Sequence, residues 1–279
     1  MQQNVLPLDA VVFDLDDTLM RDDRSISDYT VQVMHRAARL GIHVIPASGR
    51  TFPSMLPSVR RLECARLCIA CNGAEIWMPD GESPLLRLAL NDDLAQQVLR
   101  FGQSYDCYIQ AYHGNRFYYN QDGAYAAAYA LSSTLQGERA ADLSAFVAAH
   151  PTAKILMMHD ESRIAQMLQD ARIRFAGQLS VTCSKPYYLE FNPLQATKGN
   201  ALRWCAQRLG FSLDRTVAFG DSLNDLSMLT AAGIGVAVDN AREDVKQQLA
   251  HHCGSNQKDG PARFLSRLLD GAGSIPEVV

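Results

Sequence analysis

Four short polar segments of this chain concentrate residue types that can do chemistry: Asp14-Leu15-Asp16-Asp17-Thr18, Ser48-Gly49-Arg50, Thr197-Lys198-Gly199 and Gly220-Asp221-Ser222-Leu223-Asn224-Asp225. If they close onto one site, Asp14, Asp16, Asp221 and Asp225 crowd carboxylates that would repel one another and take up protons. A hard divalent cation with oxygen ligands relieves this. Mg2+ is the natural choice, since it takes one or two carboxylates together with phosphate oxygens and water. Lys198 adds a positive charge suited to a phosphate or an aspartate.

A carboxylate near a metal and a lysine suits attack on phosphorus with formation of an aspartyl-phosphate. The metal and Lys198 would offset charge on the equatorial oxygens of the transferring group. Asp14 is then the nucleophile. Asp16, two residues on, serves as acid toward the leaving-group oxygen and afterwards as base toward water. Ser48 and Gly49 would let a hydroxyl and backbone N–H groups approach phosphate oxygens. Thr18 and Asn224 read as loop braces or substrate ligands, and Arg50 as a substrate ligand or the partner of a nearby acid.

Each segment follows an apolar run. Ala10–Phe13 reads as a buried strand leading into the first segment, and Ile42–Pro46 as a strand ending at the second. Cys68–Ala70 reads as a strand ending at Asn72-Gly73, Thr216–Phe219 as one ending at the fourth segment, and Ile234–Val238 as a further strand. Helical patterns over Ser27–Leu40, with Ser27 as N-cap and Gly41 as stop, and over Gly199–Leu209 alternate with them. Alternation of this kind predicts crossover units and a parallel sheet, with ligands at the strands' carboxyl ends. The predicted fold is α/β, a doubly wound and mostly parallel sheet. From 84 to 188 the character changes. Two long helices, Asp92–Tyr105 and Ser162–Arg172, stand among strand-like runs Tyr108–Tyr112, Arg116–Asn120 and Lys154–Met158, with Gly114-Asn115 as a hairpin signal. The expected organisation is a core from 1–83 and 189–279 with an inserted α+β domain at 84–188.

The 279 residues are 47% hydrophobic and 20% charged, an ordinary globular composition. A formal charge of −4 argues against a nucleic-acid or anionic-membrane footprint. A small anionic substrate, served by a few local cations or one metal, remains compatible with it. No run approaches the roughly 18 apolar residues of a membrane span. Met1-Gln2-Gln3-Asn4 lacks the basic start of a signal peptide, and seven cysteines imply no disulfide framework. A cytoplasmic protein is expected. Its oligomeric state is not readable from the sequence.

On the four segments, in order, the chain resembles the haloacid-dehalogenase-like phosphatases, and within them the Cof-type group acting on sugar phosphates and other phosphometabolites. Asp14-Leu15-Asp16-Asp17-Thr18 matches the family's first motif, Ser48 within Ala-Ser-Gly-Arg the second, Lys198-Gly199 the third and Gly220–Asp225 the fourth. The resemblance implies Mg2+ held by Asp14, Asp16 through its backbone carbonyl, and Asp221. It implies phosphate contacts from Leu15, Ser48, Gly49, Lys198 and Asn224. It also implies a cap inserted between the second and third motifs, and a loop beside the site at Asn72-Gly73-Ala74. Asp239, in Val238-Asp239-Asn240-Ala241, stands where the family usually has glycine.

Blander readings compete at several positions. Cys64, Cys68 and Cys71 have the spacing of an iron–sulfur site, yet Cys68 and Cys71 fall on or beside a buried strand, where residues three apart face opposite ways. His251-His252-Cys253 suggests a metal patch but reads better as edge residues. Tyr105, Tyr108, Tyr112, Tyr118 and Tyr119 read chiefly as packing. Two functional rivals to a phosphomonoesterase are a sugar phosphomutase and a non-catalytic module that binds phosphometabolites; the second needs no acid at position 16.

Overall fold

The computed structural model describes residues 8–114 and 116–271. The Met1–Asn4 start and Asn115 of the expected hairpin turn lie outside them. The chain opens with β1 (Ala10–Phe13), α1 (Asp28–Arg39), β2 (His43–Pro46), α2 (Phe52–Leu62), β3 (Cys68–Ala70), β4 (Glu75–Trp77) and β5 (Leu86–Arg87). Its middle comprises α3 (Asp92–Ser104), β6 (Tyr108–His113), β7 (Arg116–Tyr119), α4 (Ala124–Ser133), β8 (Gln136–Arg139), α5 (Leu143–Ala149), β9 (Ile155–Met158), α6 (Glu161–Arg174), β10 (Leu179–Thr182) and β11 (Tyr188–Pro193). It returns through α7 (Lys198–Leu209), β12 (Thr216–Gly220), α8 (Leu226–Leu229), β13 (Ile234–Val238), α9 (Glu243–Lys246), β14 (His251–Cys253) and α10 (Gly260–Leu269).

The first sheet has the order β14-β13-β12-β1-β2, every pair parallel. Strand β1, paired on both sides, explains the doubly wound arrangement. Val11 and Phe13 enter one apolar cluster with Val33 and Met34 of α1, Met55 of α2 and Leu265 of α10. Ala10 and Val12 enter another, with Leu202 of α7 and Met228 of α8. Side chains alternate between faces along a strand, so helices must cover both. The register has a direct consequence for chemistry. Phe13 pairs with Phe219 on one side and with Pro46 on the other. The loops that follow, starting at Asp14, Ala47 and Gly220, therefore emerge side by side.

The second sheet has the order β10-β11-β9-β6-β7-β8, antiparallel except for the β7–β8 pair. One face is covered by α3, α5 and α6 through Val98, Val147 and Met167. Its other face carries α4, packed through Tyr129 on Tyr112 and Phe117. The expected division at 188 falls at the start of β11, and the ladder of that strand runs on to Pro193 within the second sheet.

The helices α2, α4, α5, α9 and α10 were not foreseen. Pro53 and Pro57 disguise α2, although a proline is tolerated in the first turn. The run Ala-Tyr-Ala-Ala-Ala-Tyr-Ala-Leu of α4 lacks a polar stripe to set a helical period, and α5 has only seven residues. The strand β3 also sits differently. It touches the main sheet through the single bridge Ala47–Ile69, with Val44–Ala65 just before it, and ladders instead with β4, which pairs in turn with β5, in an antiparallel sheet.

Candidate active site

Asp14 ends β1 in extended backbone and is followed by one irregular helical turn, Leu15–Leu19, in which Asp17 takes a left-handed conformation at φ 58°. An aspartate tolerates that region better than most residues. The turn is braced from elsewhere in the chain. Asn240 Nδ2 donates to the Asp17 carbonyl at 2.7 Å, and Thr18 Oγ1 donates to Asp221 Oδ1 at 2.8 Å. Thr18 is thus a brace between the first and fourth segments. Asp239 carries no positive φ, so the turn after β13 does not need the glycine usual there.

Lys198 opens α7 wholly buried and donates to two carboxylates, Asp14 Oδ1 and Asp225 Oδ1, each at 2.5 Å. Its neighbour Gly199 makes this placement possible. A Cβ there would stand 2.1 Å from the Ser227 carbonyl oxygen, so only glycine lets the first turn of α7 close on the loop carrying Asp225. Gly220 acts in the same way, since its Cβ would meet Asp225 Cβ at 2.6 Å. With that space open, Asp225 Oδ2 folds back to accept the backbone N–H groups of Asp221 and Ser222, both at 3.0 Å.

The electrostatics are unbalanced. Asp14, Asp221 and Asp225 bring carboxylate oxygens within 4.8 Å of one another, with one lysine between them. Burial, with repulsion from Asp225 and Asp221, raises the Asp14 pKa well above the usual range against the pull of Lys198. Burial and Asp225 push Asp221 up to about 7. Burial alone would discharge Lys198, but Asp14 and Asp225 outweigh it and hold the ammonium above the ordinary lysine range. Such a surplus of buried negative charge suits a hard divalent cation with oxygen ligands.

Asp16 stands apart from that cluster, gripped by Arg50 through two hydrogen bonds, Nε to Oδ2 at 2.7 Å and Nη2 to Oδ1 at 2.6 Å. Burial pushes its carboxyl up, yet the guanidinium holds it below the usual range. Of the two roles foreseen for Arg50, the structure displays the pairing with an acid. The Ser48–Arg50 loop and the loop after β3 are joined through backbone, Asn72 N to the Ser48 carbonyl at 3.0 Å and Cys71 N to the Arg50 carbonyl at 2.8 Å. Asn224 Nδ2 donates to Asn72 Oδ1 at 3.0 Å, bracing the two loops with one of its two N–H groups. Gly73, at φ 98°, brings its loop against the Thr197 carbonyl, which a Cβ would approach to 2.3 Å.

The loops carrying Asp14, Ser48 and Asp221 face a cleft of about 650 Å³, counting its open mouth, between the two sheets, with Lys198 and Asn72 buried outside its lining. Asp14, Asp16, Asp17, Ser48, Gly49, Arg50, Asp221 and Asn224 line its core side. The second sheet supplies Lys154, Leu156, Tyr188 and Glu190, and α4 supplies Tyr129 and Ser133. Sequence reasoning missed Lys154 and Glu190. Each is a lone charge within an apolar run, Ala-Lys-Ile-Leu and Leu-Glu-Phe, and that signal could have found them. The tyrosines singled out beforehand are chiefly packing, while Tyr129 and Tyr188 reach the cleft.

The competing metal readings do not assemble. Cys64, Cys68 and Cys71 are free thiols, and among the described residues the only grouping fit for a metal is the aspartate trio. His252 lies in the edge strand β14, its Nε2 3.2 Å from the Lys246 carbonyl.

The profile of the family described as haloacid dehalogenase-like hydrolase matches residues 11–265. A 5-amino-6-(5-phospho-D-ribitylamino)uracil phosphatase of Bacillus subtilis is 27% identical over 267 residues, 95% of this chain and 97% of that protein. An HMP-PP phosphatase of Cronobacter sakazakii is 27% identical over 92% of this chain and 94% of its own length. A crystal structure from Thermotoga maritima superposes with a TM-score of 0.78 at 30% identity, covering 93% of this chain and 97% of that one. A haloacid dehalogenase-like hydrolase of B. subtilis reaches 0.84 at 26% identity, over 94% of this chain and all of the other.

Proposed function

This chain belongs to the haloacid dehalogenase-like hydrolases, in their Cof-type phosphatase group, and on that premise we propose that it hydrolyses small phosphomonoesters through a phosphoryl group carried on Asp14. The observation that carries this reading is Lys198 between Asp14 and Asp225, the single cation among the described residues beside the crowded carboxyls of Asp14, Asp221 and Asp225. A pure binding module would have no use for a second acid as close as Asp16. Asp14, Asp221 and the Asp16 backbone carbonyl would hold Mg2+, which when bound offsets negative charge on the phosphoryl oxygens.

In the first half-reaction an Asp14 carboxylate oxygen forms a bond to phosphorus as the bond to the leaving oxygen breaks. Asp16, in its acid form, gives that oxygen its proton. Arg50, bonded to both Asp16 oxygens, orients that carboxyl. In the second half-reaction Asp16 takes a proton from water, which attacks phosphorus, releases inorganic phosphate and restores Asp14. Lys198 stays protonated throughout and steadies the charge on Asp14 and the phosphoryl oxygens. Ser48 Oγ and the backbone N–H groups of Leu15 and Gly49 supply further donors, while Asn224 and Asn72 hold these loops in place.

The domain built on the second sheet, residues 84–188 continued through β11, would act as a cap that excludes bulk water and reads the leaving group. Phosphometabolites of the kind named for the relatives, sugar-like or heterocyclic alcohols, fit a cleft lined by both tyrosine and cations. No helix among the described residues is long and apolar enough to cross a membrane. Seven free thiols suit the reducing cytoplasm as the working compartment. The test is a phosphate-release assay over a phosphometabolite panel with and without Mg2+, with product analysis. Isomerised sugar phosphate in place of free phosphate would point to a mutase, and no turnover of any compound would reject the reading.

A further inference from the structure

Lys154 and Glu190 form an ion pair in which each side chain is only 2% exposed, Nζ to Oε1 at 2.9 Å. Both belong to the second sheet. Lys154 immediately precedes β9, and Glu190 on β11 pairs across to Leu156. Yet their remaining bonds go to the first domain. Lys154 Nζ donates to the Gly49 carbonyl at 2.6 Å. Glu190 Oε2 accepts from Asn72 Nδ2 at 3.2 Å, and Asn72 Oδ1 in turn accepts from Asn224 Nδ2 at 3.0 Å. One buried pair therefore joins the three core loops that carry Gly49, Asn72 and Asn224.

Stability alone does not account for such a pair. Removing two charges from water is costly, and well-packed apolar residues of similar volume are often as stable or more so. Burial works to discharge Lys154, but Glu190 and the Tyr129 hydroxyl outweigh it, so the lysine remains an ammonium and can hold a carbonyl. The contact with Gly49 is also close-fitting, since a Cβ at that glycine would meet Asn72 Oδ1 at 2.9 Å. The loop has little freedom to relax around a lost partner.

Resting on the phosphatase reading above, we propose that Lys154 is a positioning residue for phosphoryl transfer. From the cap it fixes the Gly49 carbonyl directly, and the Asn72 and Asn224 amides through Glu190. The phosphate-binding loops then reach working geometry only when the second sheet is seated on the core. Lys154 does this through other residues; it is not assigned a contact with the reacting atoms.

The experiment compares wild type, Lys154→Met, Glu190→Gln and the double variant Lys154→Met/Glu190→Gln by melting temperature and by steady-state kinetics. Each single variant leaves a partner without its ion pair and should melt lower. The double variant removes both charges and should recover most of the loss. Its kcat should nevertheless stay at least about tenfold below wild type, with KM changed much less. A double variant with both stability and kcat of wild type would overturn the proposal, because the pair would then be packing alone. If the double variant folds poorly, Lys154→Arg decides. It retains the charge and the Glu190 partner but re-aims the donor on Gly49, so native stability with lowered kcat supports positioning and unchanged kcat rejects it. Amide exchange at Ser48–Arg50 adds a readout that needs no turnover, faster in the double variant if Lys154 positions the loop and unchanged if it does not. A wild-type protein inactive on every phosphate ester would sink the phosphatase reading instead, and exchange would still decide the role of Lys154.

Discussion

Arg50 holds Asp16 through both ends of its guanidinium fork, at 2.7 and 2.6 Å, so the acid proposed to protonate the leaving group is occupied before substrate arrives. A lysine cannot make two parallel bonds to one carboxylate. Arg50→Lys should therefore leave Asp16 poorly oriented and lower kcat by about tenfold or more, within the range attributed to positioned acid–base groups. Phosphate release at saturating substrate is the measurement. An unchanged kcat would show that the pair is a resting contact with no part in turnover.

Asp14→Asn should retain the fold and lose turnover by several orders of magnitude. The change removes one of the three carboxylates crowded in the cluster and leaves Lys198 its bond to Asp225, so the melting temperature should stay level or rise. Mass spectrometry of acid-quenched wild type should detect phosphate on Asp14, and the variant should carry none. Turnover of p-nitrophenyl phosphate by the variant at the wild-type rate would remove Asp14 from the nucleophile's role.

Chelation should abolish activity and Mg2+ restore it. Metal binding to the native state alone also stabilises it, by about 2.7 kcal/mol at a hundredfold excess over Kd. The melting temperature should accordingly rise with added Mg2+, and Asp221→Asn should blunt both responses. Activity that persists after exhaustive chelation would remove the metal from the reading.

Gly199→Ala places a methyl group 2.1 Å from the Ser227 carbonyl oxygen, where backbone must give way. Overpacking of this kind costs about 1–3 kcal/mol. Because the first turn of α7 carries Lys198, stability and kcat should fall together. A destabilised variant with full kcat would show that the ammonium finds its place without this close approach.

Burial pushes the Cys64 thiol up to about 11 and those of Cys68, Cys107, Cys205 and Cys253 to about 12. At pH 8 the native protein should react slowly with Ellman's reagent, and all seven thiols should react once it is unfolded. The unfolded chain ionises first, near 8.5. These thiols therefore favour the fold below that pH, and the contribution is lost as pH rises toward 11 to 12. A brown anaerobic sample with broad visible absorbance would instead point to an iron–sulfur site at Cys64, Cys68 and Cys71.

Local patterns made much of the site legible. The runs Ala10–Phe13, Cys68–Ala70 and Ile234–Val238 are strands at the expected residues, because an apolar run ending in polar turn residues is a signal contained in the run itself. Parallel pairing then delivers the following loops to one edge, which is why Asp14, Ser48 and Asp221 could be grouped from their places after strands. The helices α4 and α5 escaped because neither carries a long polar and apolar period of its own; α4 is helical where it is covered by the tyrosines of β6 and β7.

Local residue patterns set the inventory of reactive groups and the edge on which they meet. Which group holds which was decided only in three dimensions. Lys198 divides itself between Asp14 and Asp225, Arg50 takes Asp16, and Thr18 takes Asp221. Lys154 crosses from the second sheet to Gly49. These partners lie from 27 to 203 residues apart along the chain, so no local spacing links them. Their pairing follows from the need of every buried charge and donor to find a partner once water has been excluded, a condition that exists only after the two sheets have closed over the cleft.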